Sequence, residues 1–210
     1  LGTVTIEHLY DKAICTYFSG IHFDLILYST PPITFSSLVQ KLKHKHHAIT
    51  YLLLKDIFPQ NAVDLQMFSA RSPYYWYFRR KEIKLYKGSD FIGCMSPANV
   101  EFIKKHNPFI PVNRIEVAPN SIELSQLPLI DKEEIRKKYN IPIDIPILIY
   151  GGNLGKPQGL DFLLKVLESN IKREDIFFLI VGSGTEYQKI SSWFDTFKPQ
   201  NARLMKRVPK

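Results

Sequence analysis

Ile147-Leu-Ile-Tyr-Gly-Gly-Asn-Leu-Gly-Lys-Pro-Gln-Gly-Leu-Asp-Phe-Leu-Leu-Lys-Val-Leu167 decides how the rest of this 210-residue chain is read. An apolar run from Ile145 to Tyr150 meets a glycine pair. A short polar loop follows, then Gly159 and apolar residues at helical spacing, Leu160, Leu163, Leu164 and Leu167. The pattern predicts a buried parallel strand, a loop and a helix. Such a loop presents free backbone N–H groups and the positive end of a helix dipole to an anion. Its spacing is neither G-x-G-x-x-G nor G-x-x-x-x-G-K-[ST], so the dinucleotide and ATPase fingerprints do not apply. Taken alone, the unit serves equally well as a structural βα turn.

Outward from this unit, strand-like and helix-like segments alternate along the whole chain, which argues for α/β architecture with parallel sheets. Residues 1–19 read as a helix, Phe23–Tyr28 as a buried strand, Phe35–Leu42 as a helix and Ala48–Leu54 as a strand. Tyr74–Tyr86 is helical, and Asp90–Met95 is a strand. Ser96-Pro97 then supplies an N-cap and first helical position. Arg114–Ala118 is the next strand. Ser121–Leu129 lacks periodicity and contains Pro128, so it reads as a domain boundary, dividing the chain into residues 1–124 and 125–210. Beyond it, Lys132–Tyr139 is a charged helix, Asp175–Val181 a strand, Glu186–Phe197 a helix and Leu204–Val208 a strand.

Composition narrows the function classes. A 45% hydrophobic content supports a packed core. No apolar run approaches the ~18–20 residues of a membrane span. Cys15 and Cys94 are too few for a disulfide framework and read as two buried thiols in a reducing compartment, which implies a cytoplasmic protein. The net charge of +8 calls for an anionic partner. The charge is not gathered in one recognition helix and no zinc-finger, RRM or basic-zipper pattern occurs, so phosphates and anionic membrane are favoured and nucleic acid is not expected. Tyr74-Tyr-Trp-Tyr-Phe-Arg-Arg-Lys81 mixes aromatic rings with cations, as membrane-interface segments do. The histidines of Lys41–His47 have no carboxylate or cysteine nearby and no i, i+4 pair, so no metal site is expected there.

Tyr150-Gly-Gly-Asn-Leu-Gly-Lys-Pro-Gln-Gly159 resembles the start of the donor domain in family-4 glycosyltransferases of the GT-B architecture. It is especially similar to those that build bacterial capsule, O-antigen and lipopolysaccharide chains. Lys55-Asp-Ile-Phe-Pro-Gln60, Ser89-Asp-Phe-Ile-Gly-Cys-Met-Ser96, Val117-Ala-Pro-Asn-Ser-Ile-Glu123 and Phe178-Leu-Ile-Val-Gly-Ser-Gly-Thr-Glu-Tyr187 match the same family in the same order. The resemblance implies a GT-B fold of two Rossmann-like domains with parallel sheets, residues 1–124 on the acceptor side and 125–210 on the donor side, with the site between them. Since each domain of that family carries about six strands, it also implies that both domains are incomplete here and that residues 1–210 are an internal piece, inactive alone.

The family's roles transfer only in part. Gly152 and Gly159 match the glycines framing the diphosphate loop, and Gly182 and Gly184 match the turn beside the nucleotide. The usual arginine is Asn153 and the usual lysine is Gln158, leaving Lys156 as the loop's cation; Asn and Gln still donate to phosphate oxygens. On the acceptor side Asp56 and Gln60 follow a strand, where open α/β sheets bind ligands. Ser29 stands where the family often has histidine, so no general base is carried over and the catalytic residues are unassigned. Ser29 and Thr30 remain hydroxyl contacts, and Asn120 falls at the interdomain hinge.

The implied reaction is retaining transfer of a sugar from a nucleotide-sugar donor, a UDP-sugar, to a lipid-linked saccharide, without cofactor or bound metal. It is expected in the cytoplasm, with peripheral contact to the inner face of the cell membrane. Two other readings stand beside it, a non-catalytic nucleotide-binding GT-B-like domain and a Rossmann oxidoreductase.

Overall fold

The computed structural model describes residues 2–124 and 131–208, and the side chains from Thr5 onward. The chain divides into two compact units, Leu1–Glu123 and Leu124–Lys210. Of the expected boundary at Ser121–Leu129, Pro128 and its neighbours at 125–130 lie outside the described residues.

The first unit runs α1 (Gly2–Tyr17), β1 (Leu25–Ser29), α2 (Ser36–His46), β2 (Ile49–Leu54), α3 (Gln60–Asp64), α4 (Pro73–Gly88), β3 (Phe91–Cys94), α5 (Pro97–His106) and β4 (Ile115–Val117). The strands form one parallel sheet in the order β1-β2-β3-β4, with Leu27 opposite Tyr51, Leu53 opposite Gly93 and Gly93 opposite Glu116. Helix starts are chemically marked. Ser72 accepts a hydrogen bond from the Tyr74 N–H, and Ser96 accepts one from the Asn99 N–H. Each serine is followed by proline at the first helical position.

Leu52, Leu54, Ile92 and Cys94 project from one face of this sheet onto Leu85, Tyr86 and Ile103 of α4 and α5, and all are essentially buried. The opposite face is different. Leu25, Leu27, Ile49 and Phe91 are exposed there, so β1 is half-buried on one side and exposed on the other, and not buried on both as its apolar run predicts. Period-two alternation puts these residues on one face, and no described element covers it. Cys15 is also exposed on α1, against the expectation of two buried thiols. Cys94 is buried, and desolvation pushes its thiol to about 11.

The second unit runs α6 (Lys132–Lys138), β5 (Ile147–Asn153), α7 (Leu160–Ser169), β6 (Phe177–Ser183), α8 (Tyr187–Phe197) and β7 (Ala202–Met205). Its parallel sheet has the order β5-β6-β7. Leu154, Leu160, Leu167, Ile180, Ile190 and Trp193 form the core between the sheet and α7 and α8. Ile141, Phe177 and Leu179 form a smaller cluster. Asp131 opens α6 by accepting from the Glu133 and Glu134 N–H groups. Among the described residues no helix is long and apolar enough to cross a membrane.

Candidate functional site

β5 continues through its glycine pair to Asn153, three residues further than the apolar run suggests. The pairing with β6 is what carries it, since Gly151, Gly152 and Asn153 stand opposite Val181, Gly182 and Ser183. The Leu154 N–H then donates to the Ser183 carbonyl at 2.9 Å, and the fully buried Leu154 side chain pins the strand's end to the core. Lys156–Gln158 makes one 3-10 turn. Gly159 follows at φ 64°, a left-handed conformation that glycine adopts without penalty, and Leu160 starts α7.

At the C-terminal end of this parallel sheet lies an open pocket of about 480 Å³. Its walls are Gly151–Asn153 of β5, Val181–Ser183 of β6, and Arg207 and Val208 beyond β7. Ligands of open α/β sheets bind at this end of the strands. The glycines of the two strands serve different purposes. A Cβ on Gly151 or Gly152 would meet nothing within 4 Å, so their lack of side chain opens the pocket. A Cβ on Gly182 would overlap the Gly152 carbonyl oxygen, and one on Gly184 would overlap the Leu154 backbone, so those two are required by close packing.

The loop's polar residues are partly engaged with each other. Asn153 Nδ2 donates to Gln158 Oε1 at 3.2 Å, and the Tyr150 hydroxyl donates to the Asn153 carbonyl at 2.8 Å. Lys156 is exposed in the 3-10 turn and is not part of the pocket wall. Arg207 is part of that wall, and sequence reasoning missed it. Leu204–Val208 reads as one strand, but β7 is Ala202–Met205, its last residue paired with Val181. Arg207 therefore lies beyond the strand end, beside the glycine loop. The signal available in the sequence was the Lys206-Arg207 pair directly after an apolar run.

On the other unit the sequence-nominated residues stand at or after the C-terminal ends of β1, β2 and β4. Ser29 ends β1 opposite Leu53. Thr30 is buried, and its hydroxyl both donates to the Asp56 carbonyl and accepts from the Asp56 N–H, at 3.1 Å each. That pair ties the end of β1 to the segment after β2 and leaves the Asp56 side chain exposed. Gln60 opens α3, donates to Asp64 Oδ1 at 2.8 Å, and borders a small cavity of about 80 Å³ beside Arg79, Glu82 and Asn107. Asn120 is exposed after β4.

In that cavity Glu82 is buried and accepts from Arg79 at 2.5 Å and from the Tyr86 hydroxyl at 2.7 Å. Burial raises its carboxyl above the usual value, against the lowering pull of Tyr86 and Arg79. At the N-terminal end of α4, Tyr74, Trp76 and Tyr77 are 70%, 57% and 51% exposed, beside Arg80 and Lys81. Among the described residues no group of three or more His, Cys, Asp or Glu side chains could hold a metal ion.

Residues 131–208, all within the second unit, match the family Glycosyl transferases group 1. The fold is that of the GT-B glycosyltransferases. Its two parallel α/β sheets align with Anabaena Alr3699/HepE, solved in complex with UDP-glucose, at TM-score 0.65 and 11% identity over 97% of this chain and 52% of that one. WaaG, a glycosyltransferase involved in lipopolysaccharide biosynthesis, aligns at TM-score 0.58 and 15% identity over 83% of this chain and 52% of its own. TarM aligns at TM-score 0.61 and 17% identity, over 94% and 36%. The chain thus spans about half the length of HepE and of WaaG. No curated protein sequence matches it closely enough to count as a relative.

Proposed function

We propose that this chain is part of a retaining glycosyltransferase that moves a sugar from a UDP-sugar to a hydroxyl of a lipid-linked saccharide in cell-surface polysaccharide synthesis, of the capsule or O-antigen kind. One observation carries the reading. The glycine-walled pocket at the C-terminal end of the parallel sheet lies within the residues that match the glycosyltransferase family, and it is large enough for a nucleotide. Two solved relatives support the choice of donor and setting, HepE with its bound UDP-glucose and WaaG with its role in lipopolysaccharide biosynthesis.

In this reading residues 125–210 are the donor side. Gly152 and Gly159 frame the diphosphate, Asn153 and Gln158 donate amide hydrogens to it, Lys156 adds a peripheral cation, and Gly182 and Gly184 let the backbone approach the nucleotide. Residues 1–124 are the acceptor side, with Ser29, Asp56, Gln60 and Asn120 near the acceptor and Thr30 holding Asp56 in position. Departure of the diphosphate is helped by fixed donors aimed at developing negative charge. Because the chain spans about half of HepE, transfer itself is assigned to a longer polypeptide.

A non-catalytic nucleotide-binding domain is the second reading, favoured by the neutral Asn153 and Gln158. Calorimetry with UDP and with NADH tests the ligand class. UDP is expected to saturate one site in residues 1–210, and NADH is not. A folded chain that ignores UDP would refute the donor site, and a full-length protein that binds UDP yet turns over no UDP-sugar would leave the binding-domain reading.

The acceptor-side unit is also proposed to rest on the inner, cytoplasmic face of an anionic membrane. The exposed Tyr74, Trp76 and Tyr77 on α4 beside Arg80 and Lys81 support this, because aromatic rings settle at the headgroup level while cations attract anionic lipid. Anionic liposomes are expected to float the protein, and high salt to release part of it. Equally poor recovery with neutral and anionic liposomes would remove the membrane and favour a water-soluble acceptor.

A further inference from the structure

The donor loop of this chain lacks the charge that its ligand demands. A nucleoside diphosphate brings at least two negative charges. Asn153 and Gln158 are neutral and hydrogen-bonded to each other, and Lys156 lies outside the pocket wall. The wall does contain one cation, Arg207, which the sheet delivers from a different strand. β7 stops at Met205, and residues 207 and 208, beyond its end, line the same pocket as Gly152 and Gly182. Arg207 is exposed and has no hydrogen-bond or ion-pair partner among the described residues. Its planar fork suits bidentate contact with phosphate oxygens, and its charge is permanent.

We propose that Arg207 neutralises the donor's phosphates, so that the charge ordinarily supplied within a diphosphate loop comes here from the segment after β7. The bare walls at Gly151 and Gly152 allow the ligand to lie close to β5 in the pocket that Arg207 also lines. Asn153 and Gln158 then orient the phosphates without holding their charge. The proposal rests on the donor-site reading above.

The test compares residues 1–210 with the variants Arg207→Ala, Arg207→Lys and Lys156→Ala, using UDP by calorimetry and uridine by ligand-observed NMR. Since Arg207 is exposed, the variants are expected to unfold at the wild-type temperature. Arg207→Ala should weaken UDP roughly ten- to a hundredfold, the range for a lost charge-assisted hydrogen bond. It should leave uridine unchanged and flatten the salt dependence of UDP binding. Arg207→Lys should fall between, and Lys156→Ala should cost no more than about threefold, as an exposed, screened charge does. Equal losses for UDP and uridine would mean Arg207 meets base or ribose and would overturn the proposal. So would unchanged UDP affinity in Arg207→Ala, with the donor site itself still standing. A folded wild type that binds no UDP would overturn both.

Discussion

Arg79→Ala is expected to destabilise the first unit by about 3–5 kcal/mol near neutral pH, the cost of stranding a buried charge. Glu82 sits on α4 one turn from Arg79, with only 4% of its side chain accessible. It accepts from Arg79 Nη1 and from the Tyr86 hydroxyl, while Arg79 Nη2 donates to the His106 carbonyl at 3.0 Å and to Asn107 Oδ1 at 2.7 Å. One guanidinium thus fastens α4 to the end of α5. Removing it leaves a carboxylate without its counter-charge and a buried Asn107 oxygen without its donor.

The pH dependence of that loss follows from the direction of the Glu82 shift. Burial raises its folded pKa above the ordinary 4.5, with Tyr86 and Arg79 pulling the other way. A carboxyl whose folded pKa exceeds its unfolded one binds protons more tightly in the native state. The stability it contributes is therefore fully present below the unfolded value and is lost as pH rises through the folded value. Without Arg79 the folded pKa climbs further, so the penalty should be largest near pH 8 and shrink near pH 5. Urea unfolding at those two pH values, with Glu82→Gln alongside, measures it. Glu82→Gln should flatten the dependence. A loss below about 1 kcal/mol, the same at both pH values, would show the pair to be no more than a surface ion pair.

The alternating architecture was legible because buried parallel strands and helix caps leave local marks. Ser96-Pro97 opens its helix in the structure, and Leu160, Leu163, Leu164 and Leu167 line one side of α7. Features set by partners across the sheet were not legible. Glycines carry no periodicity, so the continuation of β5 through Gly151 and Gly152 becomes visible only when β6 is placed beside it. The end of β7 is likewise fixed by its pairing with Val181, which is why Arg207 read as a strand residue. An apolar run identifies a strand but not how many of its faces are covered, and Leu25 and Leu27 are exposed for that reason. The sequence places Gln60 only as following a strand. The structure gives it to α3, beside the cavity of Arg79 and Glu82, because Pro59 and the residues after it close a helical turn there.

Gly182→Ala is expected to cost the second unit about 3 kcal/mol, at the upper end for overpacking, and to lower its unfolding temperature on the order of 15 °C for a unit of this size. The methyl would overlap the carbonyl oxygen of Gly152 and press on Leu154 Cγ at 3.2 Å. Neither neighbour can withdraw easily. Gly152 is held in register between β5 and β6, and Leu154 is fully buried with its N–H on the Ser183 carbonyl. Gly152→Ala makes the contrasting case, since its methyl would meet nothing within 4 Å. Stability should then change by less than about 0.5 kcal/mol, while UDP affinity falls because the methyl occupies the floor of the pocket. Thermal unfolding and UDP calorimetry on the two variants separate packing from binding. A Gly182→Ala protein with wild-type unfolding would mean that the strands part at their C-terminal ends without penalty. A Gly152→Ala protein with wild-type UDP affinity would mean that the ligand lies away from β5, and the diphosphate would then have to be sought elsewhere on the unit.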